Sequence, residues 1–404
     1  LFPFNGIVNF TLVMSGLGLL ASLTTPAPLV VTLFGWRCAF LHVPLIFIIP
    51  KVFRAEDLRR LGYWVIILAI PMGILVMVQF GGNVTSWVNK GAGFDSGQLE
   101  LGSGKVRPAG TFSFATGVSA FFALSTAFLA CAFVQENTYP KKIMIAAALS
   151  TVGAMLCSGS RTAVLSAALV LIGLFVVGIT RGRSFGKLLG FAVFGGLGIF
   201  ILMSLKFFSF GKKVMADRFS TGGSFKAGVI DRVVNVLTEP FKDLADVPFL
   251  GHGLGSGTIA GMVLSRNQYG TWVEVDWSRA FYESGVIVGL GIVLLRIALT
   301  IQLFKKSWGA STKDNLLPFC LFIAAGPLVL NGSWAQSTVL GFSIFVAGIC
   351  LTAVHAGSIW TTGPAAQAPG TQVLSSSGKS DRRPRARSAY SIKLHGPDKK
   401  KGQP

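Results

Sequence analysis

The sequence predicts an all-α polytopic membrane protein with about ten transmembrane helices and one large extracytoplasmic loop. Three observations lead there. Hydrophobic residues make up 51% of the 404 and charged residues only 13%, against about 25% charged in soluble domains. Apolar runs approaching the roughly 20 residues needed to cross a bilayer core of about 30 Å recur along the chain. Basic residues recur on every second link between those runs.

The runs are 6–25, 29–50, 61–80, 111–134, 140–157, 162–180, 188–207, 280–303, 315–332 and 337–356. Counted alternately, one side receives the links 51–60 (KVFRAEDLRR), 135–142 with Lys141 and Lys142, and 181–187 with Arg181, Arg183 and Lys187. The same side receives 304–314 with Lys305, Lys306 and Lys313, and then the tail. All five are basic, as expected of cytoplasmic segments. The runs follow from hydropathy alone, so the charge pattern agrees with them independently. An even count puts both termini in the cytoplasm. Four regions follow: helices over 1–207, a periplasmic loop over 208–279, helices over 280–356, and a basic tail over 357–404.

The opposite side carries a segment at 81–110 and the large loop. Within that loop Ile230, Val233, Val234, Leu237, Phe241 and Leu244 follow helical spacing,. Asp231, Arg232, Asn235 and Asp243 fall on other faces, and Pro240 should break or kink the helix,. Such a stretch either lies flat at the membrane interface or packs on the rest of the loop. The tail is rich in Pro, Gly, Ser and basic residues without apolar periodicity, a composition expected to be disordered. The opening stretch lacks a basic leader and a small-residue cleavage site, so no cleavable signal is expected.

The formal charge of +20 does not imply nucleic acid, because nine Lys and Arg lie in the last 26 residues and others sit in short links. That distribution fixes orientation, and the tail can touch anionic lipid. Cys38, Cys131, Cys157, Cys320 and Cys350 all fall in apolar runs without metal-ligand or CxxC spacing,. They read as small buried hydrophobes. No Walker motif, HExxH or nucleophile elbow is present, and no metal or cofactor is expected.

Charges inside a membrane are costly and face protein or water. Arg37 lies about eight residues into the second run, Glu283 one turn into the eighth, and Arg296 nearer its cytoplasmic end, where snorkelling would suffice,. His42 reads as a satisfied packing residue. A set of arginines gathers near the extracytoplasmic ends: Arg107 before the fourth run, Arg161 in the SGSRTA turn, Arg218 and Arg232 in the large loop, and Arg279 opening the eighth run. Arginine is always charged and binds phosphate in two-pronged fashion. Several around one cavity would suit a diphosphate whose charge grows as it leaves. Pairing with loop carboxylates or lipid headgroups is the plainer account of each one except Arg161, whose short turn offers no obvious carboxylate.

Glu274, Asp276 and Glu283 place three carboxylates in WVEVDWSRAFYESG. Such a group could take a proton from a sugar hydroxyl, or simply pair with the neighbouring arginines. Trp272 and Trp277 fit an interfacial aromatic belt, with stacking on sugar faces the alternative. GHGLGSG at 251–257 lacks the flanking strand, helix and βαβ context of a dinucleotide loop, so its glycines should serve tight turns,. His252 within it is a weak candidate base.

Taken in order, the segment around Arg37, RPAGTFSFATG at 107–117, SGSRTA at 158–163, Arg218 and Arg232, GHGLGSG, and WSRAFYESGVIVGL at 277–290 resemble the O-antigen ligase/polymerase family of bacterial membrane glycosyltransferases. The likeness is strongest to its exopolysaccharide and oligosaccharide repeat-unit polymerases. The resemblance implies a fold similar to type C glycosyltransferases in the bacterial inner membrane. It implies polyprenyl-diphosphate-linked glycan as substrate, at the periplasmic face, with no metal or nucleotide. It implies that Arg161 and Arg232, helped by Arg37, Arg107, Arg218 and Arg279, hold the diphosphate. Chain-length regulator and export proteins would be partners. One departure matters: ligases of the family carry a His-Asn pair before the late span, where this chain reads EVDWSR. The base is then left to Glu274 first and Asp276 second, with Arg161 as the third catalytic candidate.

The expected activity is polymerisation: a growing glycan leaves its polyprenyl diphosphate for a hydroxyl of the next lipid-linked unit. A ligase is the alternative within the same chemistry. A transporter or flippase is the alternative outside it, weakened by the lack of an internal repeat and by the few charges within the runs.

Overall fold

The computed structural model describes residues 5–90, 106–135, 139–183, 185–209, 211, 213, 216, 234–235, 238–242 and 247–357. Arg218, Arg232, most of the amphipathic stretch at 230–244 and the tail beyond Gly357 lie outside these residues. The described residues are mostly helical, with no strand among them.

Each of the ten apolar runs coincides with a helical segment. The first three are α1 (Asn5–Leu23), the pair α2 (Leu29–Trp36) and α3 (Leu45–Val52), and α4 (Ala55–Gly81). Next come α5 (Ala115–Val134), α6 (Lys141–Cys157), α7 (Arg161–Thr180) and α8 (Phe185–Ser204). A short α9 (Ile259–Leu264) precedes α10 (Asp276–Ala310), α11 (Leu317–Asn331) and α12 (Ser337–Ala356). Six of these are long and apolar enough to cross a membrane, or seven if the bent pair α2–α3 is one span. That is the signature of a multi-pass membrane protein. Three runs fall outside that count: α6 has 17 residues and α11 has 15, below the roughly 20 of a full span, and α8 contributes a shorter apolar stretch, Gly186–Gly198, among its described residues.

Sequence explains the packing. α5 is built largely from Ala, Ser, Thr, Gly and Phe, and is buried on almost every face, so it is the centre of the bundle. Small residues let neighbouring backbones approach. Gly62 of α4 lies against Phe128, and Gly117 against Phe112 and Thr338. Around it the outward faces keep large apolar side chains exposed, among them Leu68, Leu169, Ile172, Leu197 and Leu294. In water such a surface would be unstable; against lipid it is the natural exterior. The five cysteines are free and buried, as their surroundings in the sequence suggest.

Two helices break, and both breaks matter for the site. After Trp36 the chain makes one π-helical turn, Arg37–Leu41, and then bends by 48° into α3. In α10, Gly285 has φ 70° and ψ −175°, outside helical geometry. A straight helix would hold Asp276 and Arg296 about 30 Å apart. Their side chains are instead bonded, so segment 276–284 folds back on 286–296. The close approach of Gly289 to the Phe281 backbone shows the same reversal. The eighth expected span therefore begins at this break, and Glu283 precedes it rather than lying one turn inside.

Candidate functional site

One cationic centre forms at the start of α7. Gln79, near the end of α4, grips Gly110 through both amide atoms: its Nε2 donates to the Gly110 carbonyl at 3.0 Å and its Oε1 accepts from Gly110 N at 2.8 Å. Gly110 itself needs a positive φ of 62°. This clamp fixes the RPAG segment, and Arg107 Nη2 reaches Ser160 Oγ at 2.9 Å. Ser160 is the N-cap of α7 and also accepts from Ala163 N. Arg161, the next residue, is half-buried and forms no ion pair among the described residues. The Arg107 guanidinium thus joins the helix N-terminus that Arg161 opens, where the helix dipole adds a further partial positive charge,.

A second centre forms at the start of α10, and its character is opposite. Asp276 Oδ1 accepts from Arg279 at 2.7 Å and 3.0 Å, and Asp276 Oδ2 accepts from Arg296. Arg279 also donates to Glu283 Oε2 at 3.1 Å, and Glu283 Oε1 accepts from Gly257 N at 3.1 Å. All four charged side chains are buried. Arg296 further binds the carbonyls of Val329 at 2.8 Å and Gly332 at 2.7 Å, with its guanidinium 4.3 Å from the Trp334 ring centroid. It does not snorkel, because the break at Gly285 brings Asp276 back beside it. Asp276 and Arg279 are saturated by their partners, whereas Glu274, two residues upstream, is exposed and has no ion pair among the described residues.

GHGLGSG ties this centre to the first helices. The break in α10 frees the carbonyls of Tyr282 and Glu283, which accept from His252 N and Gly253 N at 2.9 Å each. Gly255, at φ 85°, lies so close to Gly35 of α2 that a Cβ on Gly35 would sit 2.1 Å from Gly255 N. The glycines serve turns and close packing, as their sequence context implies. His252 stacks on Tyr282 at 4.2 Å and its Nδ1 lies 3.2 Å from the Tyr282 carbonyl. Trp277 is buried and donates to the Leu330 carbonyl at 2.8 Å, while Trp272 is exposed. Phe241 packs edge-on against Trp277 and Phe281, which favours the packed reading for that end of the amphipathic stretch.

Arg37 occupies a third setting. It lines a cleft of about 230 Å³ between α2–α3 and α12, together with His42 and Ser337. Its guanidinium lies 5.0 Å from the Phe34 ring centroid, and His42 Nδ1 lies 3.0 Å from the Arg37 carbonyl. Of the arginines singled out in the sequence, Arg107 reaches the N-cap residue next to Arg161, Arg279 is locked in the buried network, and Arg37 lines the cleft. Ser160 and Gln79 complete these centres, and only their place in the folded chain reveals them, as it alone reveals the pairing of Arg296 with Asp276. Among the described residues no group of three or more His, Cys, Asp and Glu could hold a metal ion. No protein-family model and no curated protein matches this chain.

Proposed function

We propose that the chain is a polysaccharide polymerase of the inner membrane, with ten spans, both termini cytoplasmic and its site on the periplasmic side. It transfers a glycan from polyprenyl diphosphate to a hydroxyl of a lipid-linked repeat unit. The observation that carries this reading is the cationic start of α7, where Arg107 and Arg161 flank Ser160 and Arg161 has no carboxylate partner among the described residues. An acceptor oxygen attacks the anomeric carbon and the bond from that carbon to the diphosphate oxygen breaks. The diphosphate leaves with the electron pair. Fixed guanidinium groups favour the charge that develops there. Glu274, exposed beside an anchored helix start, takes the hydroxyl proton. Arg218 and Arg232 join the site through the family resemblance. The partners are the lipid-linked oligosaccharide, membrane lipid, and chain-length regulator and export proteins.

The test is reconstitution. Purified protein in liposomes with carrier-linked single units should produce a ladder of longer carrier-linked chains. Transfer of finished glycan to a different acceptor, without a ladder, would establish the ligase reading instead. A transporter draws some support from the two broken helices, a feature of many transporter sites. Movement of labelled lipid across the liposome without any glycan lengthening would establish that one.

A further inference from the structure

We infer that residues 249–264, part of the stretch read from sequence as loop, dip into the bilayer and seat α9 among lipid acyl chains on the large-loop side. The composition suits this: residues 247–265 contain no Asp, Glu, Lys or Arg, and Arg266 ends the run. Three structural observations point the same way. First, α9 is turned inside out relative to a helix in water. Thr258, Gly261 and Ser265 are buried, while Ile259 and Val263, one turn apart, are 54% and 65% exposed. The buried hydroxyls bond to the chain itself, Thr258 Oγ1 to the Gly255 carbonyl at 2.8 Å and Ser265 Oγ to the Tyr269 carbonyl at 2.9 Å. Second, the exposed side continues a surface that faces lipid. α9 packs on α2, which belongs to the bent span and exposes Leu29, Val30 and Leu33. Phe249 and Leu250 before GHGLGSG, and Trp272 after α9, are exposed as well. Third, the tip of GHGLGSG reaches below the helix ends. Leu254 is fully buried and packs with Met14, Phe40 and Val288. Its Cδ1 lies 3.4 Å from where a Cβ on Gly18 would stand, and Gly18 lies more than one helical turn, about 7 Å, inside the end of α1,.

The backbone supports lipid as the occupant. Irregular chain at membrane depth must find its hydrogen-bond partners inside the protein. Here His252 N and Gly253 N donate to the carbonyls freed at the α10 break, Leu254 N to Ser22 Oγ at 2.9 Å and Gly257 N to Glu283 Oε1 at 3.1 Å. A turn in water would need no such enclosure. α9 adjoins α2, whose exposed side faces lipid, so acyl chains reach it without displacing anything. The exposed Trp272 and Arg266 are residue types that settle at headgroup level,. A helix lying at that boundary sinks its apolar face about 5–10 Å into it. The insertion also has a structural consequence. Thr271 N and Val273 N donate to the Ser256 and Gly257 carbonyls at 3.0 Å and 3.1 Å. The segment that carries Glu274 is thereby tied to the inserted turn, and the bilayer sets its height. The inference goes beyond the proposed transfer and does not depend on it.

Depth-resolved fluorescence quenching tests the inference. Ile259→Cys, Val263→Cys and Gln268→Cys are labelled one at a time with bimane in the full chain, whose native cysteines are buried. Each is reconstituted in dioleoylphosphatidylcholine liposomes with iodide available on both sides. The labels at Ile259 and Val263 should lose roughly half or more of their emission when the lipid carries bromine on its acyl chains, and should resist iodide. The label at Gln268, exposed beyond the end of α9, should do the reverse. Iodide quenching at Ile259 and Val263 without quenching by brominated lipid would place α9 in water and overturn the inference. Protection from both quenchers would overturn it too, by showing the face covered by a second copy or another protein. Two positions one turn apart keep the test decisive if either variant fails to fold. The assay reads no glycan transfer, so it can fail while elongation in liposomes succeeds, and the reverse.

Discussion

The starts of α7 and α10 both present arginine beside an expected membrane face, yet they put it to different uses. At α10, Arg279 and Arg296 meet Asp276 and Glu283, and every charge is buried and matched. At α7, Arg107 hydrogen-bonds to a hydroxyl and Arg161 has no acid beside it among the described residues. Burial with a carboxylate makes an arginine part of the scaffold. At Arg161, partial exposure with no acid beside it among the described residues leaves the side chain able to meet an external anion. Residue type and position along the chain do not separate these cases; the partner does.

Breaking the α10 network should have the largest effect on the fold. Asp276→Ala leaves Arg296 buried without its carboxylate and strips Arg279 of one of two, and removing one partner of a buried pair costs about 3–5 kcal/mol. Detergent unfolding curves and membrane yield should both fall. Unchanged stability would show that the network is not scaffold. Ser160→Ala should come next. It removes the α7 cap, worth about 1 kcal/mol, and the hydroxyl that holds Arg107. Polymer yield per folded protein should drop, and Ser160→Thr should restore much of it. Glu274→Gln should be mildest for the fold, within about 0.5 kcal/mol of the parent as for most surface changes. Elongation in liposomes should nonetheless collapse. Full elongation by this variant would remove Glu274 as the base.

Much of the fold was legible because lipid imposes a strong pattern. Apolar runs located each of the longer helices, while the short α9 falls in the stretch read as loop. Some basic residues of the links also serve the fold: Arg183 donates to the Val134 carbonyl at the end of α5 at 2.7 Å, and Arg181 donates to the Trp308 carbonyl near the end of α10. Those contacts join segments far apart in the chain and leave no local pattern. The reversal at Gly285 was hidden for a related reason. A glycine inside WSRAFYESGVIVGL is compatible with a continuous helix, and only the Phe249–Gly251 backbone packed against it makes the break necessary. Arg296 was misread as snorkelling because its partner lies 20 residues back, on a segment that folds beside it. The absence of an acid beside Arg161 among the described residues was easier to read, since a four-residue turn between helices leaves little room for one. The cleft at Arg37 was not legible, because it joins α3 to α12 across most of the sequence.

The most direct test of the account is the carrier-linked glycan pool of cells expressing Arg161→Ala, resolved on gels at protein levels matched to the parent. The account predicts accumulation of carrier-linked single units and loss of polymer, with detergent stability like that of the parent. Normal chain lengths at matched protein levels would contradict it, and would leave the start of α7 a structural feature without a role in transfer.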